Sequence, residues 1–140
     1  MAMTIDAART KLRRDFPAWV LDLGLIIEEI GAGQVRLRLP ASDHLNRMGG
    51  VVSGQALMAM ADTAMVFEAL SHYDDDRDLA TVTQNTSFLS AIVGADVICE
   101  AQVIKVGRRL VFGEARLYAA GSDQPAAHTT MTCAVAPPAG

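Results

Sequence analysis

HLNRMGGVVSGQALMAMADTAMVFEALS, residues 44 to 71, joins a polar, glycine-marked loop to a long apolar segment. From Gln55 to Leu70 it is dominated by Ala, Leu and Met, with no Pro and no internal Gly, so it predicts a helix. Ser53 is placed to cap it, because a hydroxyl there can accept from an orphan backbone N–H one turn on. Gly54 then falls in the first turn, where free N–H groups and the helix dipole favour negative charge. At about 1.5 Å per residue the helix is roughly 25 Å long, enough to cross a small domain. It is apolar almost all round, which predicts burial on most sides. One carboxylate, Asp62, interrupts its middle, with Met58 and Ala59 a turn behind and Met65 and Val66 a turn ahead. A carboxylate in such company is costly unless it is partnered. On these residues alone it is either a structural Asp bonded to a neighbouring strand or a functional one.

The flanks supply the rest of the fold. Thr4 to Asp15 reads as a short helix capped by Thr4 and ended by Phe16-Pro17. Its cations, Arg9, Lys11, Arg13 and Arg14, read as a solvated face. Leu21 to Ile30 and Gln34 to Leu39 read as paired strands, turned by Gly31-Ala32-Gly33. In the second, Val35, Leu37 and Leu39 alternate with Gln34, Arg36 and Arg38, a half-buried pattern. His72 to Asp78 lacks the spaced oxygen ligands and glycine of a calcium loop, so Asp74-Asp75-Asp76 reads as a solvated connection. Beyond it come strands over Leu79 to Ser90, Ala95 to Val106, Leu110 to Ala119 and Ala127 to Ala136, with turns at Gly94, Gly107 and Gly121 to Pro125. An antiparallel sheet curled around a single apolar helix satisfies this order, since each buries the other's face. The expectation is therefore one α+β domain, with about six strands wrapped around one long central helix.

Composition narrows the function. The hydrophobic fraction of 51% and charged fraction of 20% fit one compact domain of 140 residues rather than a disordered chain. The net charge of −4 argues against a general nucleic-acid surface. No apolar run has membrane-spanning length, and the N-terminus lacks the apolar core of a signal peptide. Cys99 and Cys133 lie far apart in apolar runs, which favours buried free thiols in a reducing cytoplasm, with a disulfide between neighbouring strands as the other reading. His44, His72 and His128 show no metal spacing, so neither metal nor cofactor is expected.

Asn46, then Gly49-Gly50, then Ser53-Gly54-Gln55, then Met60-Ala61-Asp62-Thr63-Ala64 resembles the hotdog-fold acyl-CoA thioesterases of the phenylacetate-pathway (PaaI-like) type. The interval from Gly54 to Asp62 matches that family's oxyanion glycine and catalytic acid. Ser53 stands where the family usually has His, Gln55 where it usually has a second Gly, and Asn46 lies one residue further from Gly54. The resemblance implies a hotdog fold, an acyl-CoA substrate, and a homodimer or homotetramer built by pairing sheet edges. Such pairing would also cover an open edge.

Thioester hydrolysis needs carbonyl polarisation, a base or nucleophile, and a grip on coenzyme A. The Gly54 N–H can supply an oxyanion hole, and Asp62 can serve as general base or nucleophile. By resemblance, Thr81 matches a Ser or Thr brought from the partner subunit to hold water; an ordinary strand threonine is the other reading. Asn46 by resemblance orients Asp62 or the substrate. Gln55 replaces a glycine with an amide donor or narrows the pocket. Ser53 is a cap beside the substrate, or, with His44 or His128, a Ser-His pair. Lys105, Arg108 and Arg109 surround Gly107, matching a family turn near the coenzyme A phosphates; exposed hairpin charges are the alternative. Met58, Met65 and Phe67 suit an aryl or medium-chain acyl group and equally suit the core. The leading function is hydrolysis of a small aryl- or medium-chain acyl-CoA. The rivals are a non-catalytic hotdog module that binds an acyl ligand, favoured by the altered Ser53-Gly54-Gln55 loop, and a hydratase, disfavoured by the lack of His between Gln55 and Leu70.

Overall fold

The structure, a computed structural model, describes residues 3–31 and 33–138. The central helix, α3, spans Gly54–Leu70 and starts where the Ser53 hydroxyl accepts from the Ala56 N–H at 3.3 Å. Met60, Ala61, Ala64, Met65, Phe67 and Ala69 on it are wholly buried.

Around it curls one six-stranded antiparallel sheet. Its strands are β1 (Ile26–Glu29), β2 (Val35–Leu39), β5 (Leu79–Phe88), β6 (Val97–Val106), β7 (Leu110–Ala119) and β8 (Pro125–Val135), ordered β1-β2-β6-β7-β8-β5. Alternation sets which face meets the helix: Val35, Leu37 and Leu39 of β2 and Val97, Cys99 and Ala101 of β6 are buried. Their neighbours Arg36, Arg38 and Glu100 fall on the outer face, where Glu28 reaches Arg36 at 3.1 Å and Arg38 at 2.6 Å. This is the curled sheet around one helix that the residue pattern led us to expect, and the hotdog architecture that the family resemblance implied.

Several elements differ from the sequence reading. Leu21 ends a short helix, α2 (Ala18–Leu21), instead of opening a strand, and β1 begins only at Ile26. The cause is local. Pro17 starts the helical turn, and Gly24, at φ 73°, takes a left-handed conformation before the chain extends. The loop ahead of α3 has structure of its own: a 3-10 turn at Asp43–Leu45, then β3 (Asn46–Arg47) paired with β4 (Val51–Val52). Gly49 (φ 89°) and Gly50 (φ 73°) close that hairpin. Pro125 opens β8, a position where its missing N–H is tolerated. The expected Gly31-Ala32-Gly33 turn includes Ala32, which lies outside the described residues.

The first helix, α1 (Ile5–Asp15), is capped by Thr4 as expected and buries Ala8 and Leu12. Phe16 after it stacks on Phe67 of α3, centroids 5.6 Å apart. The acidic connection is not simply solvated. Asp76 bonds Lys11 at 2.9 Å and Arg14 at 3.1 Å, tying it to α1. Cys99 and Cys133 are buried free thiols, on β6 and β8 with β7 between them. Among the described residues no helix is long and apolar enough to cross a membrane.

Helix and sheet meet most closely at Gly113 of β7. A Cβ there would fall inside the end of the Met65 side chain and 3.0 Å from the Gln102 carbonyl oxygen. Met65 is fully buried and has little room to retreat. Gly113→Ala should therefore cost roughly 1–3 kcal/mol through overpacking. A lower denaturant midpoint with unchanged slope is the expected result.

Candidate active site

Three contacts, each a helical turn further along, dock α3 against the edge strand β5. At Gly54 an added Cβ would come within 3.2 Å of the Phe88 ring. A turn later the Gln84 side-chain amide donates to the Met58 carbonyl at 3.0 Å. A turn beyond that, the Thr81 hydroxyl donates to Asp62 Oδ1 at 2.6 Å. Asp62 thus lies at the seam between helix and edge strand. It is half-buried rather than enclosed, since Gln55 and Met58 on its side of the helix are exposed and Ala59 and Val66 are half-buried. β5 leaves Val82 57% and Phe88 53% exposed, so this flank of the protomer is open.

Thr81 therefore meets the Asp62 of its own chain, whereas the resemblance had it arriving from a partner. Beneath the pair, Cys133 stands opposite Thr81 across the β5–β8 ladder. Burial pushes its thiol up to about 11; the Asp62 carboxylate raises it too, and a hydrogen bond with Thr81 pulls the other way. Such a thiol is not a nucleophile near neutral pH.

A second group gathers at the start of α3. Asn46, Ser53 and Gln55 line a mostly apolar recess of about 380 Å³ together with Trp19, Leu23 and Leu45. Ser53 spends its hydroxyl on the cap, which fits a structural role better than a Ser-His pair. The two groups are separated along one helix. Eight residues from Gly54 to Asp62 is about 12 Å of rise, further than one thioester carbonyl and its attacking water can bridge.

Lys105, Arg108 and Arg109 are exposed around the β6–β7 turn and form no ion pair among the described residues. Val106, Val111, Cys133 and Thr81 make one row across β6, β7, β8 and β5. The turn is thus at the same end of the sheet as Asp62, with β7 and β5 about 10 Å apart by strand spacing. Met65 and Phe67 belong to the core and leave Met58, 36% exposed, as the methionine that can touch a ligand. His128 pairs with Glu114 at 3.0 Å on the sheet. Among the described residues no three His, Cys, Asp or Glu side chains cluster to hold a metal.

The fully buried carboxylate of α3 is Glu68, not Asp62. His72 Nε2 sits 3.0 Å from Glu68 Oε1, while Oε2 has no partner at hydrogen-bond geometry. Burial raises the Glu68 carboxyl above its ordinary 4.5; the His72 ring, and more weakly the Val103 backbone amide, oppose the rise. The sequence signal was the Glu68…His72 spacing of one turn. A raised folded pKa means that this group's contribution is fully present below 4.5 and is lost as pH rises through the folded value. Glu68→Gln should accordingly flatten the fall of Tm with rising pH above 4.5, as followed by thermal melts across a pH series.

A six-stranded antiparallel sheet wrapped around one helix, with a carboxylate at the helix–edge seam, defines a hotdog protein. Residues 49–126 match the family model of the Thioesterase superfamily, and the chain belongs to that family. A crystal structure from Silicibacter sp. TM1040, named "putative thioesterase", superposes with a TM-score of 0.84 at 27% identity, covering 98% of this chain and 97% of that one. Thioesterase HI1161 of Haemophilus influenzae superposes at 0.86 over 97% of this chain and 92% of that one; at 16% identity it speaks for the fold alone. "Putative esterase Ta0293" of Thermoplasma acidophilum is 24% identical over 86 residues, which are 61% of this chain and 64% of that protein, under two thirds of its length.

Proposed function

We propose that this protein is an acyl-CoA thioesterase of the phenylacetate-pathway (PaaI-like) type, acting on a small aryl- or medium-chain acyl-CoA. The observation that carries this reading is the bond from Thr81 to Asp62 on an open flank of the central helix. With Oδ1 engaged by Thr81, the second oxygen of Asp62 is left to take a proton from water, or to attack the carbonyl itself. Water adds to the thioester carbon, the carbon–sulfur bond breaks, and coenzyme A leaves as the thiol after taking up the proton. The Gly54 N–H, at the start of α3, holds the developing oxyanion. Asn46 and Gln55 beside it orient the thioester.

The rise of about 12 Å between Gly54 and Asp62 supports a site shared between two protomers. One thioester takes Gly54, Asn46 and Gln55 from one protomer and Asp62 with Thr81 from the other. The exposed edge strand β5 is the surface that pairs. The working unit is a homodimer or a dimer of dimers. Arg108 and Arg109, with Lys105, hold the nucleotide phosphates by charge-assisted hydrogen bonds. Met58 lines the substrate path, and Ser53 keeps the helix start in place. Two buried free thiols suit a reducing cytoplasm.

A panel of acyl-CoAs assayed for free-thiol release tests the activity. Asp62→Asn keeps the shape and the Thr81 contact but removes base and nucleophile. We expect kcat to fall by roughly 10²–10⁴, with at least a dimeric mass by light scattering in both proteins. A folded, fully active Asn variant would remove Asp62 from the chemistry. A wild type that binds acyl-CoA and releases no thiol from any thioester would favour the acyl-binding module, the reading to which the unusual Ser53-Gly54-Gln55 loop points.

Replacing Arg108 and Arg109 together by Ala should raise KM more than it lowers kcat, because phosphate contacts far from the reacting carbon bind substrate and transition state alike. If KM and its salt dependence stay unchanged, the nucleotide binds elsewhere.

A further inference from the structure

The recess at the start of α3 contains a residue that the sequence reading passed over. Trp19, the only tryptophan in the chain, is 60% exposed on the short helix α2. An exposed Trp on a four-residue helix contributes little to the core. Around it the walls are fixed. Leu23 is buried, and the Leu45 carbonyl accepts from the Ser53 N–H at 3.1 Å, which ties the 3-10 turn to the cap of α3. The recess of about 380 Å³ lies at the small end of the roughly 300–1,000 Å³ range of ligand pockets. It opens beside Asn46 and Gln55. Met65 and Phe67 are taken up by the core, so neither contacts an acyl group.

We propose that this recess receives the acyl group of the thioester and that Trp19 makes it selective for an aromatic ring. The inference rests on the thioesterase reading for its choice of ligand. Trp offers a rigid π-face to an arriving ring, and offset or edge-on ring contacts add to plain burial. Leu23 and Leu45 supply the apolar walls. Asp22 and Arg47 also line it, so the charges at the lining are of both signs. Trp19 is thus a specificity-determining residue, remote from the bond that breaks.

Its uniqueness makes Trp19 its own reporter. The probes are coenzyme A, phenacyl-coenzyme A (a non-hydrolysable thioether with one aromatic ring) and 2-oxohexyl-coenzyme A (its aliphatic counterpart). Calorimetry and tryptophan emission are followed on the full chain, and thiol release is assayed in parallel. Phenacyl-coenzyme A should change the Trp19 emission saturably, with a midpoint equal to its calorimetric Kd, and coenzyme A alone should leave the emission unchanged. Trp19→Ala should weaken phenacyl-coenzyme A about two- to tenfold more than 2-oxohexyl-coenzyme A, and Trp19→Phe should restore most of that difference. Phenacyl-coenzyme A that binds without moving the emission overturns the recess, as does equal weakening of both probes or a failure of the aryl probe to bind. Thiol release with a silent Trp19 leaves hydrolysis standing and removes the recess. An emission response without thiol release from any thioester supports the recess and removes hydrolysis.

Discussion

Burial of α3 is the constraint on which everything else in this protein depends. A 17-residue helix with apolar side chains on nearly every side cannot rest on a flat surface. It needs a sheet that curls, and the curled sheet in turn needs an apolar rod to fill it. Gly113 shows how tight the fit is, because the strand gives up a side chain to admit Met65. α1 closes part of what the sheet leaves open, through Ala8, Leu12 and the Phe16–Phe67 stack. What remains uncovered is the narrow flank that carries Gln55, Met58 and Asp62 beside β5.

The candidate chemistry occupies that flank. A carboxylate buried inside the sheet could not meet water or substrate, and Glu68, which is so buried, pairs with His72 instead. Asp62, half-buried, faces the seam, where a strand threonine donates to one of its oxygens. Helix geometry then separates the carboxylate from Gly54 by more than one thioester spans. In the proposed mechanism a second copy of the chain completes the site, and pairing of the exposed β5 edge provides it. The same pairing would cover backbone groups that an open edge leaves unpaired.

Much of this was legible without coordinates. Ser53 as cap, the helix to Leu70, the alternation in β2, and the bounds of β7 all follow from local rules, since capping, propensity and period-two burial act over a few residues. Where the reading failed, a local signal was ambiguous. Leu21 to Ile30 is apolar enough for a strand, yet Pro17 and Gly24 divide it into a helical turn and a shorter strand. Thr81 was open between a residue supplied by a partner and an ordinary strand threonine, and its contact with Asp62 in its own chain is visible only once β5 lies along α3. Trp19 carried no motif at all, so its place beside Asn46 and Gln55 could not be inferred.

By itself, the sequence determined an α+β domain with a capped central helix, a glycine at its start and a carboxylate at its middle, because these depend on residue type and spacing along a continuous segment; the hotdog fold was what the family resemblance implied. Tertiary structure alone decided which carboxylate is buried. A helix that is apolar all round has no polar face to declare its orientation, so the burial of Glu68 and the edge position of Asp62 emerged only when the sheet wrapped one and left the other at its edge. It also decided the neighbours of Asp62, since Thr81 and Cys133 reach it through strand pairings between distant parts of the chain, and such register is set by packing rather than by local pattern.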